Sequence, residues 1–175
     1  MSLLLFLTSV YAGYSLSETF PVSMVEVFRE VFGEVEEWNP FSFLFLIFLN
    51  NTVKCFLVIL LGFLIGVIPL VFVAVNGFIM GLVAFEVGKI SGFPFVLASI
   101  LPHGVFEVTA FLLCSAIGLR IGYETVKSLR GKGSVKNELV KGINFFVTRA
   151  LPLLISAAAI EAFVTPLIVN LLFYK

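Results

Sequence analysis

His103 and Glu107 stand four residues apart in the run Leu101-Pro102-His103-Gly104-Val105-Phe106-Glu107, inside a stretch that is otherwise apolar. His103 is the chain's single histidine. On a helix, residues i and i+4 share one face, with Cβ atoms about 5–6 Å apart. An imidazole and a carboxylate so placed could form half a metal site, a proton relay or a hydrogen-bonded clasp between helices. Holding either group in hydrocarbon costs about 2.5–3.5 kcal/mol on insertion scales, so such groups face a bundle interior or a wet cavity.

A metal needs three or four donors with ordered outer partners. Glu161 is the best third donor, ahead of Asn76 and Glu86, so the metal candidates are His103, Glu107 and Glu161. Buried polar side chains also hold membrane helices together. A clasp joining His103 and Glu107 to Glu161, Asn76, Asn50 and Asn51 is therefore the expected arrangement. Catalysis is not expected. A zinc-protease motif needs two histidines at i, i+4, and neither Ser99 nor Ser115 sits in a nucleophile context. No cofactor is expected. Cys55 and Cys114 both lie in apolar runs and read as packed thiols rather than a disulfide or metal pair.

The elements that must position these groups belong to a membrane. Of the 175 residues 60% are hydrophobic, 21 are phenylalanine and 13% are charged, with a mean hydropathy of +1.13. Soluble domains carry nearer a quarter charged residues, so this composition leaves too little polar surface to cover a core. A span needs roughly 20 apolar residues, and the chain divides into about five. The expected fold is all-α: one integral-membrane domain, 1–175, with spans near 3–17, 41–61, 64–88, 95–122 and 143–173. An amphipathic helix is expected over 22–37, with Trp38 as an interfacial anchor, and a basic loop over 123–142.

The first span is short. The run from 41 to 88 is too long for one crossing, and Gly62, Gly66 and Pro69 place the turn between two spans, with Lys54 snorkelling to an interface. The other reading is an interfacial segment at 41–50 followed by a span broken at Pro69. A short loop is expected from Glu86 and Lys89 to Pro94. The pairs Gly62/Gly66, Gly77/Gly81 and Gly118/Gly122 suit close helix packing, within the chain or in a homo-oligomer.

The zero net charge conceals segregation. Six glutamates lie in 17–40 against Arg29, and six basic residues lie in 120–141 against Glu124 and Glu138. Basic short loops stay cytoplasmic, which puts the N-terminus in the cytoplasm and the C-terminus outside the cell membrane. The expected partners are the lipid bilayer and other membrane proteins; nucleic acid is not expected.

Several motifs resemble the stage II sporulation protein M family. They are Phe48-Leu49-Asn50-Asn51, Val75-Asn76-Gly77-Phe78-Ile79-Met80-Gly81, the Leu101–Glu107 run, Gly118-Leu119-Arg120-Ile121-Gly122 and Ile160-Glu161-Ala162-Phe163-Val164-Thr165-Pro166. Together they span roughly 41–170. The resemblance implies an all-helical, multi-pass protein, usually with five spans, that acts as a membrane scaffold or assembly partner. In spore formers the namesake serves partners that remodel peptidoglycan during engulfment; the family extends to archaea. The resemblance marks His103, Glu107, Glu161, Asn50, Asn51 and Asn76 without assigning them a reaction. The alternative to a scaffold is a transporter or permease component with a buried His/Glu polar or ion site.

Overall fold

A computed structural model of the protein describes residues 1–32 and 39–174. Among these residues the structure is all-helical: α1 Ser2–Leu16, α2 Met24–Phe32, α3 Pro40–Leu60, α4 Val67–Ser91, α5 Phe93–Leu129, α6 Val135–Phe145, α7 Leu151–Ala159 and α8 Thr165–Phe173. The helices α6, α7 and α8 form one rod, interrupted only by π-helical turns at Phe146–Ala150 and Ile160–Val164. Four segments are long and apolar enough to cross a bilayer: Pro40–Phe63, Val67–Ser91, Phe93–Leu129 and Val135–Phe173. At 15 residues, α1 is about 22 Å long against a hydrocarbon core of about 30 Å.

Each break follows from a local cause. Asn39 caps α3 through its Oδ1, which accepts from the Phe41 amide at 2.9 Å, with Pro40 at the first helical position. The chain reverses between α3 and α4 at Ile65 (φ 57°) and Gly66 (φ 75°). This favours two separate helices over the interfacial alternative. Pro69 falls in the first turn of α4, where its missing N–H removes no helical bond. In the rod, Pro152 and Pro166 each follow a π-helical turn. A proline ring clashes with the carbonyl four residues back, and those carbonyls, of Thr148 and Ala162, lie inside the two wide turns.

Two connections differ from expectation. The segment from Glu86 to Pro94 is almost wholly helical, and only Gly92 (φ 85°) separates α4 from α5. A positive φ suits glycine, so one residue suffices for the reversal. The basic segment 123–142 is also mainly helix, because α5 runs to Leu129 and α6 begins at Val135. Ion pairs extend both helices beyond their apolar lengths: Lys127 Nζ meets Glu124 at 2.7 Å, and Glu138 takes Arg120 at 2.8 Å and Lys141 at 2.6 Å. The helix expected over 22–37 is described as Met24–Phe32; Trp38 and the rest of that stretch lie outside the described residues.

All three glycine pairs are used within the chain. A Cβ on Gly77 or Gly81 would run into the α1 backbone, at 2.8 Å from the Phe6 carbonyl and 2.6 Å from the Tyr14 amide respectively. A Cβ on Gly118 would meet the Val58 carbonyl and the Pro69 ring, and one on Gly62 would meet Gly118 itself. Gly122 lies so close to the turn that its Cβ would stand 2.6 Å from Gly66 Cα. Around these contacts Cys55, Val58, Ile59, Val73, Cys114, Ile121 and Leu154 form a core. Both cysteines are free and buried there.

Candidate functional site

At the other end of the same helices the packing opens. A cavity of about 570 Å³ lies between α3, α4, α5 and the rod, with Phe28 of α2 at its edge. Its walls include Phe43, Leu46, Ile47, Val83 and Val87. Its polar groups are Asn50, Asn51, Lys54, Ser99, His103, Glu107 and Glu161. A smaller cavity of about 90 Å³ adjoins it, and Asn51, Lys54 and Glu107 line both. Asn76 lines the small cavity with Phe6 and Met80.

The six residues singled out by sequence thus line two neighbouring cavities, but their pairing differs from the simple i, i+4 reading. His103 Nδ1 meets Glu161 Oε2 across the gap between α5 and the rod. Their side chains are 16% and 23% exposed, so the pair is largely withdrawn from the surroundings. Neither atom has a further hydrogen-bond partner. Glu107 lies deeper, within electrostatic reach of His103, Lys54 and Glu161. The distinction bears on a metal: among the described residues no three His, Cys, Asp or Glu side chains gather closely enough to hold one. The three candidates form a pair with a neighbour rather than a three-donor site.

Backbone geometry explains the placement. Glu161 occupies the second π-helical turn, where the extra residue per turn rotates its side chain relative to a regular helix; π-turns cluster at functional sites for this reason. His103 follows Pro102, the one proline inside α5. Asn76 donates its Nδ2 to the Phe72 carbonyl at 2.8 Å, which ties the amide to its own helix. Glu86 is committed elsewhere: its carboxylate accepts from the Ser23 hydroxyl and from the Met24 and Val25 amides, each at 3.0 Å. It therefore caps α2 and sets that helix over the cavity edge.

Lys54, the expected snorkelling residue, lines both cavities. Glu107 lies within its electrostatic reach, and a nearby opposite charge makes an intramembrane cation more tolerable. The signal was present in the sequence, since Asn50, Asn51 and Lys54 fall on one face by i, i+3 and i, i+4 spacing.

These helices and cavities define a class: a helical membrane protein whose ionisable side chains converge in a cavity between its membrane-length segments. The model of the stage II sporulation protein M family matches residues 2–166, and the chain belongs to that family. An uncharacterized protein of Methanocaldococcus jannaschii is 33% identical to it over 79 residues, a stretch covering 44% of this chain and 44% of that relative. The match thus spans less than half the relative's length. No solved structure matches the chain.

Proposed function

We propose that the protein is a transporter-type membrane protein that exchanges amphiphilic organic cations for protons. The observation that carries this reading is the cavity of about 570 Å³ with Lys54, His103, Glu107 and Glu161 on apolar walls. Two carboxylates there face one lysine and one histidine. With His103 protonated, the four charges sum to zero. With a neutral imidazole, one negative charge is left over. Opposite charges attract more strongly in a cavity of lowered dielectric than in water, so an uncompensated carboxylate there attracts a cation. An entering ammonium group supplies the missing positive charge, and His103 gives up its proton. The apolar walls take the body of the solute.

No catalytic step is assigned to any residue. The five-span topology, with the acidic N-terminal segment outside the cell and the basic α5–α6 turn in the cytoplasm, belongs to the same proposal. It rests on the charge bias of Lys and Arg. The scaffold role implied by the family resemblance is the competing reading. Small-residue faces turned to partners would favour it, whereas the three glycine pairs pack against neighbours within the chain.

The test uses hexylammonium, hexanoate and hexanol as probes on purified protein in weak buffer. Hexylammonium should raise the melting temperature saturably and release protons as it binds; hexanoate and hexanol should do neither. Glu161→Gln should abolish the stabilisation, and His103→Gln should bind hexylammonium without releasing protons. A scaffold predicts no difference among the three probes, and that result would overturn the reading.

A further inference from the structure

A second site lies outside the cavity, around the first π-helical turn. Arg149 belongs to that turn and is exposed on the rod. It has no hydrogen bond or ion pair among the described residues. It is eight positions after Lys141, so it lies roughly 12 Å further along the rod at 1.5 Å per residue. Beside it runs a groove of about 430 Å³ with apolar walls from Leu113, Phe145 and Leu153 and hydroxyls from Thr148 and Ser156. Both hydroxyl protons are already donated to the chain's own carbonyls, Thr148 to Asn144 at 2.7 Å and Ser156 to Pro152 at 3.0 Å. Among the described residues that line the groove, the guanidinium is thus the only uncommitted donor side chain.

An arginine on an apolar rod of membrane-spanning length incurs a desolvation cost in lipid that no group among the described residues offsets. A phosphodiester matches what the groove offers. The guanidinium fork binds phosphate oxygens bidentately, and the apolar walls parallel an acyl chain. We propose that Arg149 and this groove bind one anionic phospholipid from the leaflet on the basic side of the protein. Of the basic residues toward that end, Arg120 and Lys141 are spent on Glu138. The site makes no use of the cavity, so it stands or fails apart from the exchange reaction.

Native mass spectrometry of detergent-purified protein titrated with phosphatidylglycerol, phosphatidylcholine or inorganic phosphate tests the proposal. Wild type should retain one phosphatidylglycerol in preference to phosphatidylcholine and should not retain phosphate. Arg149→Leu should weaken retention about tenfold, the loss of one charge-assisted pair, with Arg149→Lys between the two. Arg130→Leu removes the same charge from the exposed turn and should bind as wild type. Arg149→Leu removes a charge from an apolar surface, so unchanged melting will confirm that it folds. Equal retention by wild type and Arg149→Leu would overturn the proposal. So would an equal loss in Arg130→Leu, or retention of inorganic phosphate as strong as that of lipid.

Discussion

The helices α3, α4 and α5 meet in two opposite ways along their lengths. At the end near Gly62 and Gly118 a Cβ on either glycine would strike the other's helix, and at Gly122 and Gly66 helix meets turn with no side chain between. At the end near Asn50 and Ser99 the same helices stand apart around about 570 Å³. The tight end is built from glycine, small apolar residues and a turn with two positive φ angles. The open end is built from phenylalanine, branched aliphatics and ionisable groups. Close backbone approach maximises dispersion contacts where no hydrophobic effect drives helices together. It fixes one end and leaves the other free to hold charges. Ring contacts of Phe41 with Phe163 at 5.5 Å and of Phe95 with Phe173 at 5.2 Å close the rod against α3 and α5 around the open end.

The largest effect should come from breaking the tight end. Gly122→Leu should abolish the folded state, because the Cβ alone overlaps backbone rather than a movable side chain. Overpacking costs about 1–3 kcal/mol even where side chains can yield. Gly104→Ala, on the same helix beside the cavity, meets only Ile100 Cγ2 at 3.4 Å. It should be neutral or gain up to about 1 kcal/mol of helix propensity. Melting temperatures of the two variants in detergent would check the contrast; equal damage would break it.

The next effect lies at the open end. Either His103→Ala or Glu161→Ala strands a largely buried polar partner and should cost about 1–3 kcal/mol. The double variant should cost less than the sum of the two singles, since neither group then remains unpartnered. Chemical denaturation of all four proteins gives the coupling directly, and strict additivity would remove the pair. Glu86→Ala should cost about 1 kcal/mol, the usual loss of a helix cap. Hydrogen exchange should speed up in α2 with little change in α4 or α5; uniform exchange across all three would contradict the capping role. The smallest effect is Lys89→Ala. Its partner Glu18 is 65% exposed, so the melting free energy should move by less than about 0.5 kcal/mol.

Much of the tight end was legible from the spacing of Gly62/Gly66, Gly77/Gly81 and Gly118/Gly122, because small residues at i, i+4 permit one kind of contact. The partner of each pair was not legible. The glycines of α4 meet α1, whereas those of α5 meet the end of α3 and the turn after it, and that choice depends on tertiary order. At the open end, composition marked His103, Glu107 and Glu161 as costly in lipid. It named Glu161 as their companion but could not reveal that His103 rather than Glu107 makes the direct contact, because the π-helical turn at Ile160–Val164 shifts the helical register by a residue. Lys54 shows the limit of rules about ends of spans: it lines the same cavities as Glu107 of another helix. The basic segment 123–142 read as a loop because its charge density is high, yet the ion pairs of Glu124 and Glu138 make helix the better solution there.

Ser99 and Ser115 allow the most direct test, since both are on α5 and both become cysteine with the change of one atom. Ser99 lines the cavity, while Ser115 is fully buried beside the glycine contacts. Reaction with a membrane-impermeant maleimide in intact proteoliposomes should be fast for Ser99→Cys. It should be no faster for Ser115→Cys than for wild type, whose own two cysteines are buried. Equal protection of both positions would show the polar end to be as dry as the glycine end, and would contradict a solute site there.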